Sequence, residues 1–253
     1  MPVIKVNNRE VHIQELNKGA AETVLLIHGM FSNLSVYYFN IAPILAKHFH
    51  VVMYDLKSHG MSERTLHGYD LNSMTDDLHA LMQVLNLETA HLAGYSFGGL
   101  IALKMTLRFP DKIKKLIVIE APDPKDEKAR GIIDDYSREF LEHYVENFTD
   151  TTKVKMGKRQ MERNHRMYEY LFYQTSIKTD MAAEKDFLND PQILLINTDT
   201  LLLYGMDSNC LETGKWLNEK IKSSELLLVP GNHNIPIQEP ALIGDMMNMF
   251  FMN

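Results

Sequence analysis

Short, mostly apolar runs recur along the chain at residues 23–27, 51–54, 89–93, 116–119, 200–203 and 226–229, with helical periodicity between several of them. Runs of this length suit strands buried on both faces of a parallel sheet, which helices then cover. The first segments differ. Residues 3–6 and 11–16 are joined through Asn7-Asn8, a hairpin turn pair even without glycine in second place, and this predicts an antiparallel edge. Met74, Leu78, Leu81, Met82 and Leu85 line one face of a helix that Asn72 or Ser73 can cap. A second helix, over residues 99–109, carries Leu100, Ile101, Leu103, Met105 and Leu107 until Pro110 stops it.

Residues 121–190 break this alternation. They are rich in charge and aromatics, with helical stretches expected around 136–148, 160–174 and 181–188. The segment enters after one core strand and leaves before another, so it is expected to lie over the edge where strands end and to roof a pocket. The organisation predicted is an α/β core from residues 1–120 and 191–253 with a helical cap, 121–190, inserted into it.

At 253 residues the chain can bury one sizeable core. Its net charge of −7 argues against nucleic acid or an anionic membrane as partner and favours a small neutral or acyl substrate. Cys210 is the single cysteine, which excludes an internal disulfide and a cysteine cluster for structural zinc, fits a reducing cytoplasm, and leaves the thiol a packing role. The first residues lack a basic region followed by a long apolar run, and no stretch approaches the roughly 18 apolar residues of a membrane span. A soluble, cytoplasmic protein is expected. The methionines of residues 246–252 are read as adaptable packing on a last helix.

Candidate chemistry begins at Gly94-Tyr95-Ser96-Phe97-Gly98, set between a strand-like run and a helix-like one. Such a strand-turn-helix context puts Ser96 on a sharp bend with its hydroxyl presented, as a nucleophile requires. A serine hydroxyl also needs a base, an oriented acid behind the base, and donors for the developing oxyanion. His28-Gly29-Met30-Phe31 follows the strand at 23–27, so the amides of Met30 and Phe97 are the candidate oxyanion donors, and His28 is read as orienting the loop. Among the 11 histidines, His233 alone sits in a loop just after the last core run, and it is the candidate base.

This order of strand, histidine-glycine, elbow serine, inserted helices, acid loop and late histidine resembles the α/β-hydrolase superfamily over nearly the whole chain, particularly its capped carboxylesterases and related acyl-ester or thioester hydrolases. Asp55-Leu56-Lys57-Ser58-His59-Gly60-Met61-Ser62 looks like the family's aspartate-x-x-glycine-histidine-glycine-x-serine loop, with Ser58 replacing the first glycine. The resemblance implies an eight-stranded, mostly parallel sheet, an acyl-enzyme on Ser96, and deacylation by water with the same histidine as base; it implies no cofactor and no metal. The family usually places its aspartate three residues after the glycine that follows the 201–204 run, but Ser208 stands there and Asp207 precedes it. Asp207 is the preferred acid and Glu120, at the end of the neighbouring strand, the alternative.

Phe31, Tyr95, Tyr136, Phe140, Tyr168 and Phe172 are the expected substrate-facing residues. Lys153, Lys155, Lys158, Arg159, Arg163 and Arg166, opposed only by Glu162, form a solvated face or a docking patch for an acyl carrier protein. Epoxide hydrolases and haloalkane dehalogenases share the architecture but carry a carboxylate at the elbow, where this chain has Ser96. Carbon–carbon bond hydrolases, haloperoxidases and a ligand receptor built on the same fold stay open as alternatives to an esterase or thioesterase.

Overall fold

The computed structural model describes residues 2–126 and 158–253, with side chains of the second stretch described from residue 162. The predicted helix at 136–148, Tyr136, Phe140, Lys153 and Lys155 lie outside the described residues.

Eight strands form one sheet: β1 (Val3–Val6), β2 (Arg9–Leu16), β3 (Thr23–Ile27), β4 (His50–Tyr54), β5 (Ala90–Tyr95), β6 (Ile113–Ile119), β7 (Thr200–Gly205) and β8 (Ser224–Val229), in the order β1-β2-β4-β3-β5-β6-β7-β8. β2 pairs antiparallel with β1 and β4, and every other pairing is parallel. Asn7 and Asn8 both take positive φ (50° and 62°), which is what a two-residue turn needs when Val6 faces Arg9 directly.

Alternation along the central strands sorts the core into two layers. Leu25, Ile27 and Val52 pack with α1 (Leu71–Val84) and α2 (Phe97–Arg108) on one face. Val24, Leu26, Val51, Ala93 and Ile117 pack on the other face with Ile41, Leu45 and the last helix, Pro240–Met252. Of that helix's apolar residues, Ile243, Met247 and Phe251 are buried while Met249 and Met252 stay exposed.

Two element starts differ from expectation. α1 begins at Leu71, because Asp70 caps it: its carboxylate accepts the amide of Ser73 at 2.9 Å and the hydroxyl of Ser73 at 2.6 Å. Within the insertion, α3 spans Lys158–Gln174 and α4 spans Ile177–Ala183, so the turn expected from residue 181 starts earlier. The cause is a set of polar ties to the loop before α1. Asp180 accepts the amide of Tyr69 at 2.8 Å, Glu184 accepts that of Leu71 at 3.0 Å, and the Ser176 amide donates to the Leu66 carbonyl. Beneath them Leu171 and Ile177 pack on Phe31 and Tyr69, so the described part of the insertion sits over the loop that follows β3.

Candidate active site

Ser96 separates β5 from α2 in a backbone conformation unusual for a residue with a side chain, φ 55° and ψ −120°. The flanking glycines serve close approach. A Cβ on Gly94 would lie 2.1 Å from the carbonyl oxygen of Gly98, and one on Gly98 would lie 2.4 Å from that of Ile27. Helix α2 therefore starts against β3 and β5 with no room for side chains, and the strain falls on Ser96, whose hydroxyl points out of the bend.

His233 hangs on the loop after β8. Its Nε2 lies 3.0 Å from the Ser96 Oγ, and its Nδ1 lies 3.1 Å from the Oε2 of Glu120. A carboxylate behind Nδ1 holds the proton on that nitrogen and leaves Nε2 as an acceptor facing the serine. Tyr95 fixes the loop, donating its hydroxyl to the His233 carbonyl at 3.0 Å with its ring 5.4 Å from the imidazole. Tyr95 thus braces the histidine loop, and strand alternation sets it with Ala93 in the layer under the last helix.

Glu120, not Asp207, stands behind the imidazole. Asp207 is exposed, its amide tied to the Gly231 carbonyl at 2.9 Å, and among the described residues its carboxylate makes no bond to His233. Glu120 leaves the end of β6 with a positive φ of 55° and is fully buried between β5 and β7. Its carboxylate also accepts the Gly205 amide and the Ser208 hydroxyl. Ser208, at the position where the resemblance leads one to look for an acid, donates to the acid instead. Ser208 and Cys210 are site residues that sequence reasoning passed over. A serine at the acid's usual place together with a glutamate ending the previous strand is the signal that pairs Ser208 with Glu120. Cys210 lies with its Sγ 3.6 Å from the His233 Nδ1, and burial, then the charge of Glu120, push its thiol far above the ordinary range.

The amides of Met30 and Phe97 have no acceptor among the described residues. Gly29 brings the first of them close, since a Cβ there would lie 2.9 Å from the Cβ of Ser96. Two histidines hold this loop reciprocally. His28, after β3, accepts the Leu56 amide at 3.0 Å; His59, after β4, accepts the Phe31 amide at 3.3 Å. Each donates its Nδ1 proton to a backbone carbonyl, of Gly29 and Lys57 respectively. Asp55 adds a third tie by accepting the amides of Leu34 and Met61, each at 2.8 Å. Ser58 takes the left-handed conformation (φ 63°) at the motif's glycine position, and its hydroxyl is bonded to the Tyr69 hydroxyl at 2.7 Å and receives the Thr65 amide at 2.9 Å.

Burial depresses both clasp histidines, His59 to about 3 and His28 below its ordinary 6.5, and it also depresses His91, which packs between Phe49 and Phe251. The unfolded chain therefore binds more protons than the native one once pH drops below 6.5. Stability is full above that pH and is expected to fall by about 1.4 kcal/mol per pH unit for each imidazole kept neutral, over a window reaching to about pH 3 for His59. Urea midpoints between pH 7.5 and 4.5 test this. His59→Asn, which keeps a donor and an acceptor, should flatten the dependence, and a wild-type midpoint unchanged over that range would refute the argument.

Of the residues expected to face substrate, Phe31, Tyr168 and Phe172 come together: Phe31 lies 5.8 Å and 5.7 Å from the two rings of α3, which stack on each other at 4.9 Å. In the basic cluster, Arg163 and Arg166 are exposed, as is Glu162. Among the described residues no helix is long and apolar enough to cross a membrane.

Residues 22–240 match the family described as alpha/beta hydrolase fold. An AB hydrolase superfamily protein of Bacillus subtilis, YisY, is 26% identical over 249 residues, covering 92% of each chain. The 2-hydroxy-6-oxo-2,4-heptadienoate hydrolase of Pseudomonas putida is 24% identical, covering 82% of this chain and 80% of its own. Among solved structures, an esterase from Exiguobacterium antarcticum superposes with a TM-score of 0.77 at 22% identity, covering 99% of both chains.

Proposed function

We propose, for a chain that belongs to the alpha/beta hydrolase family, serine-dependent hydrolysis of carboxylic esters or thioesters with small, largely apolar acyl groups. The observation that carries this reading is the hydrogen-bonded line from Ser96 through His233 to Glu120, at 3.0 Å and 3.1 Å. In it, the Ser96 Oγ attacks the acyl carbon as its proton passes to the His233 Nε2. The Met30 and Phe97 amides receive the charge that develops on the acyl oxygen. Glu120 stabilises the imidazolium, which then protonates the departing alkoxide or thiolate; water repeats the sequence against the acyl-enzyme. The aromatic group of Phe31, Tyr168 and Phe172 beside the oxyanion loop favours an apolar acyl chain over a charged one.

The test is a set of chromogenic esters and matching thioesters of graded acyl length, with acid-quenched intact-mass measurement during turnover. The expected result is hydrolysis with an added acyl mass on the peptide carrying Ser96. No turnover of any member and no adduct would overturn the assignment.

Carbon–carbon bond hydrolysis is the second reading, supported by the similarity to the Pseudomonas putida enzyme. It uses the same serine and histidine, so it differs in the acceptor of the released electron pair, a carbon in place of an oxygen or sulfur. Faster cleavage of a vinylogous diketone acid than of every ester would favour it.

A further inference from the structure

One side chain beside the proposed triad has no part in ester hydrolysis. Cys210, fully buried, points its Sγ to within 3.6 Å of the His233 Nδ1, the same nitrogen that Glu120 faces at 3.1 Å. One donor atom from each of Glu120, Cys210 and His233 lies within 4.8 Å of the others. Thiolate, imidazole and carboxylate together are a zinc-type donor set. Metal–ligand bonds of about 2.0–2.3 Å at tetrahedral angles hold their donor atoms roughly 3.2–3.8 Å apart, so the 3.6 Å from Nδ1 to Sγ already matches such a site and the 3.1 Å from Nδ1 to Oε2 need widen only slightly.

We propose that Glu120, Cys210 and His233 form an inhibitory site for a divalent cation of the zinc class, behind the imidazole. The bonds formed are from the metal to Sγ, Nδ1 and a Glu120 oxygen, with water in the fourth position. The thiol proton leaves to solvent and the Nδ1 proton is transferred to Nε2. The metal's two positive charges are then balanced by thiolate and carboxylate, so the buried site becomes neutral. With Nδ1 occupied by metal and Nε2 protonated, the ring has no lone pair for the Ser96 proton. Inhibition is thus a matter of tautomer and requires no displacement of substrate.

The inhibition rests on the reading of Ser96 and His233 as nucleophile and base, whereas metal binding does not, and the experiment separates the two. Full-length wild type, Ser96→Ala and Cys210→Ser are titrated with Co2+ while the near-ultraviolet thiolate-to-cobalt charge-transfer band is followed. In parallel, ester hydrolysis is measured against Zn2+, with and without a chelator. The band is expected in wild type and Ser96→Ala at the same midpoint, and absent from Cys210→Ser. The Zn2+ concentration for half-inhibition, referred to each protein's own metal-free rate, should rise at least about tenfold in Cys210→Ser, and chelator should restore the wild-type rate. Cys210→Ala replaces the serine variant if the latter does not fold. Absence of the band in folded wild type overturns the site whatever the activity, and so does equal Zn2+ sensitivity of the cysteine variant.

Discussion

The Ser96→Ala protein will hydrolyse its best ester about a million-fold more slowly than wild type, and adding His233→Ala will slow it little further. Both expectations come from one geometry. The hydroxyl and the imidazole are 3.0 Å apart, and neither does the other's work alone. Removing the hydroxyl leaves a base with nothing to activate except water; removing the imidazole leaves a serine with no proton acceptor. The remaining acceleration over water is what the Met30 and Phe97 amides and substrate binding supply. Single-turnover rates for the two single variants and the double variant measure this, with thermal melts to show that each is folded. Alanine fits the elbow sterically, because the strain at φ 55° belongs to the backbone between Gly94 and Gly98 and remains in the variant. A multiplicative loss in the double variant would mean that the two side chains act in separate steps.

Much of this geometry is legible in the sequence, because it follows from burial and local sterics. Central strands buried on both faces leave uninterrupted apolar runs, so β3 to β7 are visible within a few residues. The elbow is visible because two backbone approaches each exclude a Cβ. The layer Tyr95 joins follows the same logic: residues 93 and 95 share a strand face, and both lie in the layer that packs under the last helix. The start of α1 is less legible for a smaller reason. Asp70, Asn72 and Ser73 are all capping residue types, and only the burial of Leu71 inside the first turn selects Asp70.

The acid is where sequence reading stops, since two loops each offer a carboxylate to one imidazole. Which one arrives depends on the register of β6 against β7, where Ile119 faces Leu203, and on how each chain leaves its strand. Glu120 turns inward through its positive φ, with its amide donating to the Leu203 carbonyl at 3.0 Å. The chain after β7 turns outward at Met206 and Asp207, both exposed. Neither bend is written in hydrophobic periodicity.

Glu120→Gln is therefore expected to lower kcat by about three to four orders of magnitude, while Asp207→Asn changes it by less than about twofold. The glutamine oxygen can still accept from Gly205, and the Ser208 hydroxyl can turn to accept a hydrogen from the amide nitrogen that replaces Oε2, so the fold around it persists. Its amide nitrogen, however, presents hydrogens to the His233 Nδ1, and the ring answers by moving its own proton to Nε2. The nitrogen that must accept from Ser96 is then occupied, and the imidazolium formed in any productive encounter has lost its counter-charge. A defect of this kind should sit in kcat, with KM little changed, since Glu120 lies behind the histidine and away from substrate. It should also shrink as pH rises and hydroxide competes for the serine proton, a recovery that simple misfolding would not give. Near-normal turnover in Glu120→Gln together with a collapse in Asp207→Asn would mean that the loop after β7 rearranges in solution and that Asp207 is the working acid.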